Sequence, residues 1–327
     1  MVSLKDIRAS NGRLNEAGEG VVAVFLGATS GIGLAVLKEF AQYALKPNVY
    51  FVARNAVAAA SIVEELRHLN ADGKYEVIEK DVSLVADANA VAAVVKAKES
   101  KVDLLFMSVG FFSFDGRKDT SEGLEASMTT RYYSRIRIAQ LLLPLLNAAP
   151  HPRVVSVLAG GLEAPIDEKD LSLSKPNAFS VSASNNHTAT MMTLSLEHLA
   201  QENPHISFVH TFPGLVSTPL LGKTSSGLLG VFLRWVVAPL MTLFTTTPAE
   251  AGERGLFYST SARYGVDDGL LPLSDGLVVA KKTPGGIFLV DAKGESADNE
   301  KVLGDLRKRN VGDAVWTHTQ EVFSGIH

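Results

Sequence analysis

The sequence predicts an α/β fold built on a doubly wound parallel sheet, in a single domain. Short apolar runs alternate with helical patterns at a spacing of roughly 25 to 35 residues, which is typical of βαβ units. The first run, at 21–26, is continuous rather than alternating, as in strands that are covered on both faces. No Pro-, Gly- or Ser-rich linker and no internal repeat divides the chain, so residues 1–327 are expected to form one domain.

The order of the elements follows from these runs and from the helical patterns between them. The predicted strands are 21–26, 48–53, 75–79, 103–108, 154–158, 206–210 and 286–290. The predicted helices are 34–44, 57–69, 86–98, 121–147, 182–202 and 248–261, with an amphipathic helix in the tail at 299–323. We therefore expect a core at about 21–218, an apolar insertion at about 219–247 and a C-terminal strand and helix within 248–327.

Composition excludes several classes of protein. The chain is 46% hydrophobic and 20% charged, which is enough apolar material for a buried core. Its net charge of −4 disfavours nucleic-acid binding, which needs an excess of positive charge. The absence of Cys excludes disulfides and thiolate metal sites, and no histidine pair has metal-ligand spacing, so no metal is expected. The polar N-terminus has no signal-peptide core, so a cytoplasmic location is expected.

The segment 227–244 is strongly apolar and carries one charge, Arg234, and an internal Pro239. A membrane span usually needs about 20 apolar residues. A substrate lid or a buried helix pair is the favoured interpretation, contact with a membrane surface is the first alternative and a true membrane span is the last. A lid of this composition indicates a hydrophobic small-molecule substrate of medium or large size.

A glycine cluster follows the first predicted strand directly. Gly27, Gly31 and Gly33 stand between that strand and the next predicted helix, which is the context of a dinucleotide-binding loop in a Rossmann-type sheet. Glycines there let the backbone turn tightly and approach a diphosphate at the helix N-terminus. A structural turn would use the same residues, but the flanking strand and helix favour cofactor binding.

The end of the second predicted strand indicates which dinucleotide binds. A carboxylate at that position would accept a hydrogen bond from the adenosine ribose of NAD. This chain has Arg54 and Asn55 instead, and a guanidinium suits a 2′-phosphate. The predicted cofactor is therefore NADP(H).

Three further motifs follow the glycine loop in chain order. They are Asp81-Val82 after the third strand, Ser108-Val109-Gly110 after the fourth, and the Pro-Gly segment 213–218 after the sixth. Together these motifs resemble the short-chain dehydrogenase/reductase family over about residues 21–218, and more closely its retinol-dehydrogenase-like members and reductases of fungal secondary metabolism. The resemblance implies that the cofactor is bound by Gly27, Thr29, Ser30, Gly31, Ile32, Gly33, Arg54, Asn55, Asp81, Val82, Ser108, Val109, Gly110, Pro213, Gly214, Val216 and Thr218.

The catalytic half of that resemblance is missing. The family uses a Tyr and a Lys four residues later on one helix, with a Ser and usually an Asn, and no Tyr in this chain is followed four residues later by Lys. Local pattern aligns Phe179 and Ala183 with the pair, whereas distance to the Pro-Gly segment aligns Asn185 and Ala189. Leu158 and Ala159 stand at the Ser position, and Arg131 stands at the Asn position.

Several side chains could replace the missing groups. Tyr132 or Tyr133 could supply a phenol, although a packing role is the alternative for each. His187 could act as an acid near neutral pH, or be a surface or capping residue. Arg131 could polarise a carbonyl, bind a cofactor phosphate or pair with an acid. Ser182 could donate a hydrogen bond, or cap a helix.

Three functions are compatible with this pattern. The first is an NADP(H)-dependent reductase of a ketone or enone in a hydrophobic metabolite, with altered proton donation. The second is a non-redox cyclase, isomerase or dehydratase on the same fold, and the third is an NADP(H)-binding protein without turnover. The resemblance also implies a homodimer formed through the helix around 131–146.

Overall fold

The structure is a computed structural model that describes residues 2–214, 216 and 246–326. Seven strands form one parallel sheet in the order β3-β2-β1-β4-β5-β6-β7. The strands are β1 (Val22–Leu26), β2 (Asn48–Ala53), β3 (Lys74–Glu79), β4 (Leu104–Met107), β5 (Arg153–Val157), β6 (Ser207–Thr211) and β7 (Phe288–Val290). The strand order reverses between β1 and β4, which opens a crevice at their carboxyl ends. The predicted doubly wound sheet is confirmed.

Helices connect the strands and cover both faces of the sheet. They are α1 (Leu4–Asn11), α2 (Gly31–Tyr43), α3 (Ala56–Leu69), α4 (Val85–Lys98), α5 (Ala126–Met128), α6 (Ser134–Asn147), α7 (Val181–Glu202), α8 (Pro248–Thr260), α9 (Glu300–Lys308) and α10 (Val311–Ser324). A π-helical segment, Thr129–Tyr133, joins α5 to α6.

Alternation along each strand builds the two halves of the core. In β1, Val24 and Leu26 point to the face covered by α4, α6 and α7, whereas Phe25 points to the face covered by α2 and α8. The centre of the Phe25 ring lies 5.8 Å from the centre of the Phe40 ring and 5.7 Å from that of the Phe106 ring. The continuous apolar runs therefore belong to strands that are buried on both faces, as predicted.

The helix predicted over 121–147 begins later, at Ala126. The Glu125 side chain accepts a hydrogen bond from the Met128 amide at 2.8 Å and caps that helix. The residues before it form a turn, and the Glu122 carboxylate accepts from the first amides of α4, those of Val85 and Ala86, at 2.7 and 2.8 Å. The prediction was wrong there because these carboxylates cap helices and do not continue one.

Two other regions differ from the predicted elements. The tail forms two helices, because Asn310 adopts a left-handed conformation with φ of 54° between them. The N-terminal helix α1 was not predicted, since its sequence is mostly polar. It packs on α8 through the buried Ile7, and Asn11 donates to the Glu253 carbonyl oxygen at 2.8 Å.

Two of the predictions lie wholly or mostly outside the described residues. They concern the apolar segment 227–244, with the insertion around it, and Thr218. Among the helices that the structure describes, none is both long enough and apolar enough to cross a membrane.

Candidate functional site

A cavity of about 550 Å³ opens at the carboxyl ends of the central strands. It begins beside β2 and β3, passes the glycine loop after β1 and reaches the ends of β4 and β5. Its lining residues are Gly27, Thr29, Ser30, Gly31, Ile32, Gly33, Val52, Ala53, Arg54, Lys80, Asp81, Val82, Ser83, Ser108, Val109, Gly110, Phe111, Phe112, Thr130, Arg131, Arg135, Val157, Leu158, Asn185 and Pro213. The lining carries four basic side chains and one acidic side chain, so it favours an anionic ligand.

The glycine loop is closely packed at two of its three glycines. Gly27 has a φ of 85°, and a Cβ there would lie closer than 3.0 Å to the backbone of Val109. A Cβ on Gly33 would lie equally close to the Gly27 carbonyl oxygen and to Ser108 Oγ. Only glycine fits these positions, and the loop therefore rests directly on the end of β4.

The N-terminus of α2 faces the cavity without a side-chain cap. Ser30 is the N-cap residue, but its hydroxyl accepts no hydrogen bond from the helix. Ser30, Gly31 and Ile32 all line the cavity. The first amides of a helix lack intrahelical acceptors and lie at the positive end of the helix dipole, so this terminus can bind a phosphate.

The end of β2 supplies a free cation. Arg54 lines the cavity, is exposed, and makes no side-chain hydrogen bond or ion pair within the described part of the chain. Asn55 has a different role from the predicted one: its Oδ1 accepts from the Ala58 amide at 2.9 Å and caps α3, and it does not line the cavity. A side chain used as an N-cap turns toward its own helix and away from the neighbouring loop.

The motif after β3 forms a compact turn at the edge of the cavity. The Asp81 carboxylate accepts from the Ser83 amide at 3.0 Å, and Val82 is buried beside it. Lys80 forms an ion pair with Asp87 at 3.0 Å. These residues close the end of the cavity next to Arg54.

Arg131 enters the cavity from the π-helical segment, beneath the end of β4. Its side chain is almost fully buried, and Nη2 donates to Thr188 Oγ1 at 2.5 Å and to Asn185 Oδ1 at 3.1 Å. The guanidinium also lies over the Phe112 ring, 5.1 Å from its centre. Burial lowers the pKa of Arg131 to about 10, so the side chain is a cation at neutral pH.

Arg135, one helical turn later, fastens the ends of β4 and β5 together. It donates to the carbonyl oxygens of Val109 and Met107, and to Ser156 Oγ at 3.0 Å and the Val157 carbonyl oxygen at 2.8 Å. Burial lowers its pKa to about 9, and no described carboxylate pairs with it. Arg135 therefore places a second positive charge beside Arg131.

Tyr132 and Tyr133 point away from the cavity, toward α10. The Tyr132 hydroxyl lies 2.7 Å from Ser195 Oγ and 2.6 Å from Thr319 Oγ1, and that of Tyr133 lies 2.9 Å from His318 Nε2. Burial raises the pKa of both phenols. Because neither ring lines the cavity, the structure supports the packing alternative for both and does not bring either phenol to the cavity.

His187 and Ser182 also lie outside the cavity lining. His187 Nε2 accepts from the Asp167 amide at 3.1 Å, and Nδ1 lies 3.3 Å from the Leu171 carbonyl oxygen, so both ring nitrogens hold the loop before α7. Burial lowers the pKa of His187, which keeps the ring neutral. Ser182 is exposed in the first turn of α7. These placements favour structural roles over acid catalysis.

The comparisons with known proteins agree with this architecture. A family model described as short chain dehydrogenase matches residues 21–228. The chain belongs to the short-chain dehydrogenase family. It is 47% identical over 326 residues to the "NmrA-like family domain-containing oxidoreductase notO" of Aspergillus sp. (strain MF297-2), which covers 99% of this chain and 96% of that protein.

Other relatives extend the same similarity. "Oxidoreductase AN1596" of Emericella nidulans is 39% identical over 329 residues, with 98% of each chain covered. Among solved structures, an L-sorbose reductase from Gluconobacter frateurii complexed with NADPH and L-sorbose has a TM-score of 0.57 and 18% identity, over 81% of this chain and 98% of that one. The prediction of an oxidoreductase of the short-chain dehydrogenase family is confirmed, and the solved structure shows the shared fold.

The family's positions can now be located in three dimensions. Asn185 lines the cavity, whereas Phe179 and Ala183 do not, which favours the alignment that places Asn185 and Ala189 at the Tyr and Lys positions. Leu158, which the sequence pattern aligns with the family's Ser, lines the cavity after β5. In this short-chain dehydrogenase, the described cavity lining contains no Tyr and no His.

The Pro-Gly segment is described in part. Pro213 lines the cavity, and Gly214 has a φ of 76°. Val216 makes a bridge with Thr246 and does not line the cavity. Ser108, Val109 and Gly110 all line it.

Sequence reasoning missed several lining residues, namely Val52, Ala53, Lys80, Ser83, Phe111, Phe112, Thr130, Arg135 and Val157. The signal for Arg135 was available, because it stands four residues after Arg131 and so shares its helical face. Nothing in the local sequence indicates that Phe111 and Phe112 turn toward the cavity.

Proposed function

We propose that this chain is an NADP(H)-dependent oxidoreductase that reduces the ketone or enone group of a hydrophobic metabolite. The observation that carries the proposal is the continuity of one cavity from Arg54, past the glycine loop, to Arg131 and Asn185. The cavity follows the carboxyl ends of the strands from β2 past the glycine loop to β5, which is the course expected of an extended dinucleotide. Solved structures with this fold include short-chain dehydrogenases and reductases complexed with NADPH, which supports the choice of cofactor.

The residues present fit that cofactor. The uncapped N-terminus of α2 and the close-packed glycines would hold the diphosphate, and the unpaired Arg54 would hold the 2′-phosphate. The turn around Asp81 and Val82 would border the adenine. When bound, NADPH supplies the hydride, and the protein supplies position and charge.

The far end of the cavity would hold the substrate. Phe111, Phe112 and Leu158 give it an apolar wall, and Arg131 and Arg135 give it positive charge. An apolar molecule with one carbonyl group therefore suits this end. A hydrophobic substrate was predicted from the segment 227–244, and the cavity wall supports it independently.

The proposal is tested by incubating the purified chain with NADPH and a series of apolar cyclic ketones and enones of increasing size. We expect loss of NADPH absorbance with formation of an equal amount of reduced product. NADPH binding without consumption across the series would instead favour a binding protein. Product formation without consumption would favour a non-redox enzyme.

A further inference from the structure

Two nitrogen atoms of the Arg131 guanidinium have no hydrogen-bond partner among the described residues, although the residue is only 3% exposed. Nη2 is held by Asn185 and Thr188, but Nε is buried without an acceptor, and Nη1 donates to no described residue. Buried N–H groups in proteins are nearly always hydrogen-bonded. Arg131 lines the cavity and Nε is enclosed, so Nη1 is the spare donor for which a ligand atom in the cavity would be the acceptor.

The charge of Arg131 is also unpaired. Neither Arg131 nor Arg135 forms an ion pair with a carboxylate in the described structure. Glu125 is the acid that acts on Arg131, but it forms no ion pair with it: Glu125 Oε2 accepts from Ser127 and from the Met128 amide at 2.6 and 2.8 Å, and Oε1 is buried without a described partner. Burying an unpaired cation is costly, and negative charge on a ligand would offset that cost.

Arg131 is distant from the expected 2′-phosphate contact at Arg54. Arg54 follows β2 and the glycine loop follows β1, whereas Arg131 lies against Gly110 after β4 and Asn185 beyond it. Neighbouring strands are about 4.8 Å apart, so Arg131 lies at least two strand spacings, about 10 Å, from the end of β2. Arg131 therefore lies at the end of the cavity where the substrate would react.

We propose that Arg131 is the electrophilic group of this enzyme: it binds the carbonyl oxygen of an α,β-unsaturated ketone and stabilises the enolate formed by hydride addition. The proposal rests on the proposed function. Asn185 and Thr188 are positioning residues, because they fix Nη2 and thereby the orientation of Nη1. A rigid, buried donor aimed at a developing oxyanion contributes most where water is excluded.

The step balances without a proton donor at the oxygen. Hydride adds to the β-carbon of the enone and forms a C–H bond, and NADPH is oxidised to NADP⁺. The C=C electron pair moves to the bond between the α-carbon and the carbonyl carbon, and the C=O pair moves to oxygen as an enolate. Arg131 keeps its proton, and water then protonates the α-carbon.

The composition of the cavity favours an enone over a simple ketone. Reduction of a ketone leaves an alkoxide, a strong base that needs an acid beside it. The described lining contains no Tyr or His to supply one. An enolate shares its charge with carbon and is a weaker base, so a permanent cation is sufficient to stabilise it.

The experiment measures binding of the enolate of dimedone, a cyclic 1,3-dione that is ionised at neutral pH. Calorimetry first gives the affinity of each variant for NADP⁺, then the affinity of the NADP⁺ complex for dimedone. The variants are Arg131→Gln, Arg131→Lys and the matched control Arg137→Gln. Arg137 lies on α6, bonded to Asn89 at 2.6 Å, and does not line the cavity.

We expect Arg131→Gln to bind NADP⁺ normally and dimedone about 10- to 100-fold more weakly than the wild type, because one charge-assisted hydrogen bond is lost. Arg131→Lys should keep part of the affinity, and Arg137→Gln all of it. Unchanged dimedone binding in Arg131→Gln overturns the inference, as does a wild-type NADP⁺ complex that does not bind dimedone. Loss of NADP⁺ binding in a folded Arg131→Gln assigns Arg131 to the cofactor and also overturns it. Failure of the wild type to bind NADP⁺ is the separate failure of the proposed function.

Discussion

Arg54 and Arg131 lie toward opposite ends of one cavity and are held in different ways. Arg54 is exposed and unpaired within the described structure, whereas Arg131 is buried between Asn185 and Thr188. An exposed guanidinium adapts to a flexible phosphate, and a fixed one keeps its donors aimed at one point. An arginine is therefore suited to bind the 2′-phosphate of the proposed cofactor at one end of the cavity and the carbonyl oxygen of the proposed substrate at the other.

The sequence was sufficient to predict that Arg54 lines the cavity, but not to predict which way the side chains after Arg131 point. The position of Arg54 follows from the end of a strand, which an apolar run locates well. Tyr132 and Tyr133 follow Arg131 directly, and which of three successive side chains faces a cavity depends on the turn of the helix there. That turn is π-helical, which no local pattern indicated.

Substituting Arg54 tests the choice between the two dinucleotides. We predict that Arg54→Gln weakens NADPH binding about 10- to 100-fold, through loss of charge-assisted hydrogen bonds to the 2′-phosphate, and leaves NADH binding unchanged. Arg67→Gln is the matched control, since Arg67 is exposed on α3 and does not line the cavity. Fluorescence titration of each variant measures both affinities. An equal loss for the two dinucleotides would contradict the assignment.

The buried side chain of His210 leads to a second prediction, which concerns how the stability of the fold depends on pH. Its Nε2 accepts from the Ala159 amide at 3.1 Å, and Nδ1 lies 2.8 Å from Thr193 Oγ1, which donates to Glu163. Burial, and to a lesser extent Arg135, lower the pKa of His210 to about 3. In the unfolded chain the His210 ring binds a proton near pH 6.5, whereas in the folded chain it stays neutral down to about pH 3. The contribution of the neutral ring to the free energy of unfolding is therefore complete above pH 6.5 and is lost as the pH falls from about 6.5 toward 3.

We therefore expect the free energy of unfolding to fall between pH 7 and pH 5, and to fall less steeply in His210→Gln. Gln keeps an acceptor for the Ala159 amide but does not titrate. Urea unfolding at both pH values measures the difference. Equal slopes for the wild type and the variant would show that His210 is not the group responsible.

The glycine loop illustrates how well single elements follow from sequence. A continuous apolar run, three glycines and a helical pattern were enough to place β1, the loop and α2 to within a few residues. The helix start at 121 was missed because Glu122 and Glu125 cap two helices through side-chain contacts that no periodicity records. The polar helix α1 was missed for a related reason: it is stabilised by its contact with α8, and a contact between distant segments leaves no periodic pattern in the sequence.

Two glycine substitutions separate a required glycine from an ordinary one. Gly33→Ala places a Cβ against the Gly27 carbonyl oxygen and Ser108, so we predict a loss of about 1–3 kcal/mol in the free energy of unfolding and weaker NADPH binding. Gly304→Ala, in the middle of α9, meets only Glu300 Oε2 at 3.7 Å and should stabilise the protein by up to about 1 kcal/mol. Denaturant unfolding of both variants checks the signs. A neutral Gly33→Ala would mean that the loop is less closely packed than described.

At the scale of the whole molecule, the C-terminal helix α10 covers a surface that the family resemblance assigned to a homodimer. Tyr132 and Tyr133 bond to Thr319 and His318, and Gln140 Nε2 donates to Gln320 at 2.9 Å. His198 stacks on Trp316 with ring centres 4.1 Å apart. The homodimer stays a prediction, but its interface must lie elsewhere than on the part of α6 and α7 that α10 covers.

Removing α9 and α10 tests this role of the C-terminus. A chain ending at Asp298 uncovers the Tyr132 and Tyr133 hydroxyls and the apolar surface around them, so we predict a lower thermal midpoint and self-association. A chain ending at Ser324 is the control, because it keeps both helices. Sedimentation and thermal unfolding compare the three lengths. A shortened chain as stable and as monodisperse as the full one would contradict the covering role.

Calorimetric titration of the purified wild-type chain with NADPH and with NADH tests the central claim most directly. We predict one site per chain, with NADPH bound at least about 10-fold more tightly than NADH because Arg54 contacts the extra phosphate. Absence of binding by both dinucleotides would contradict the account.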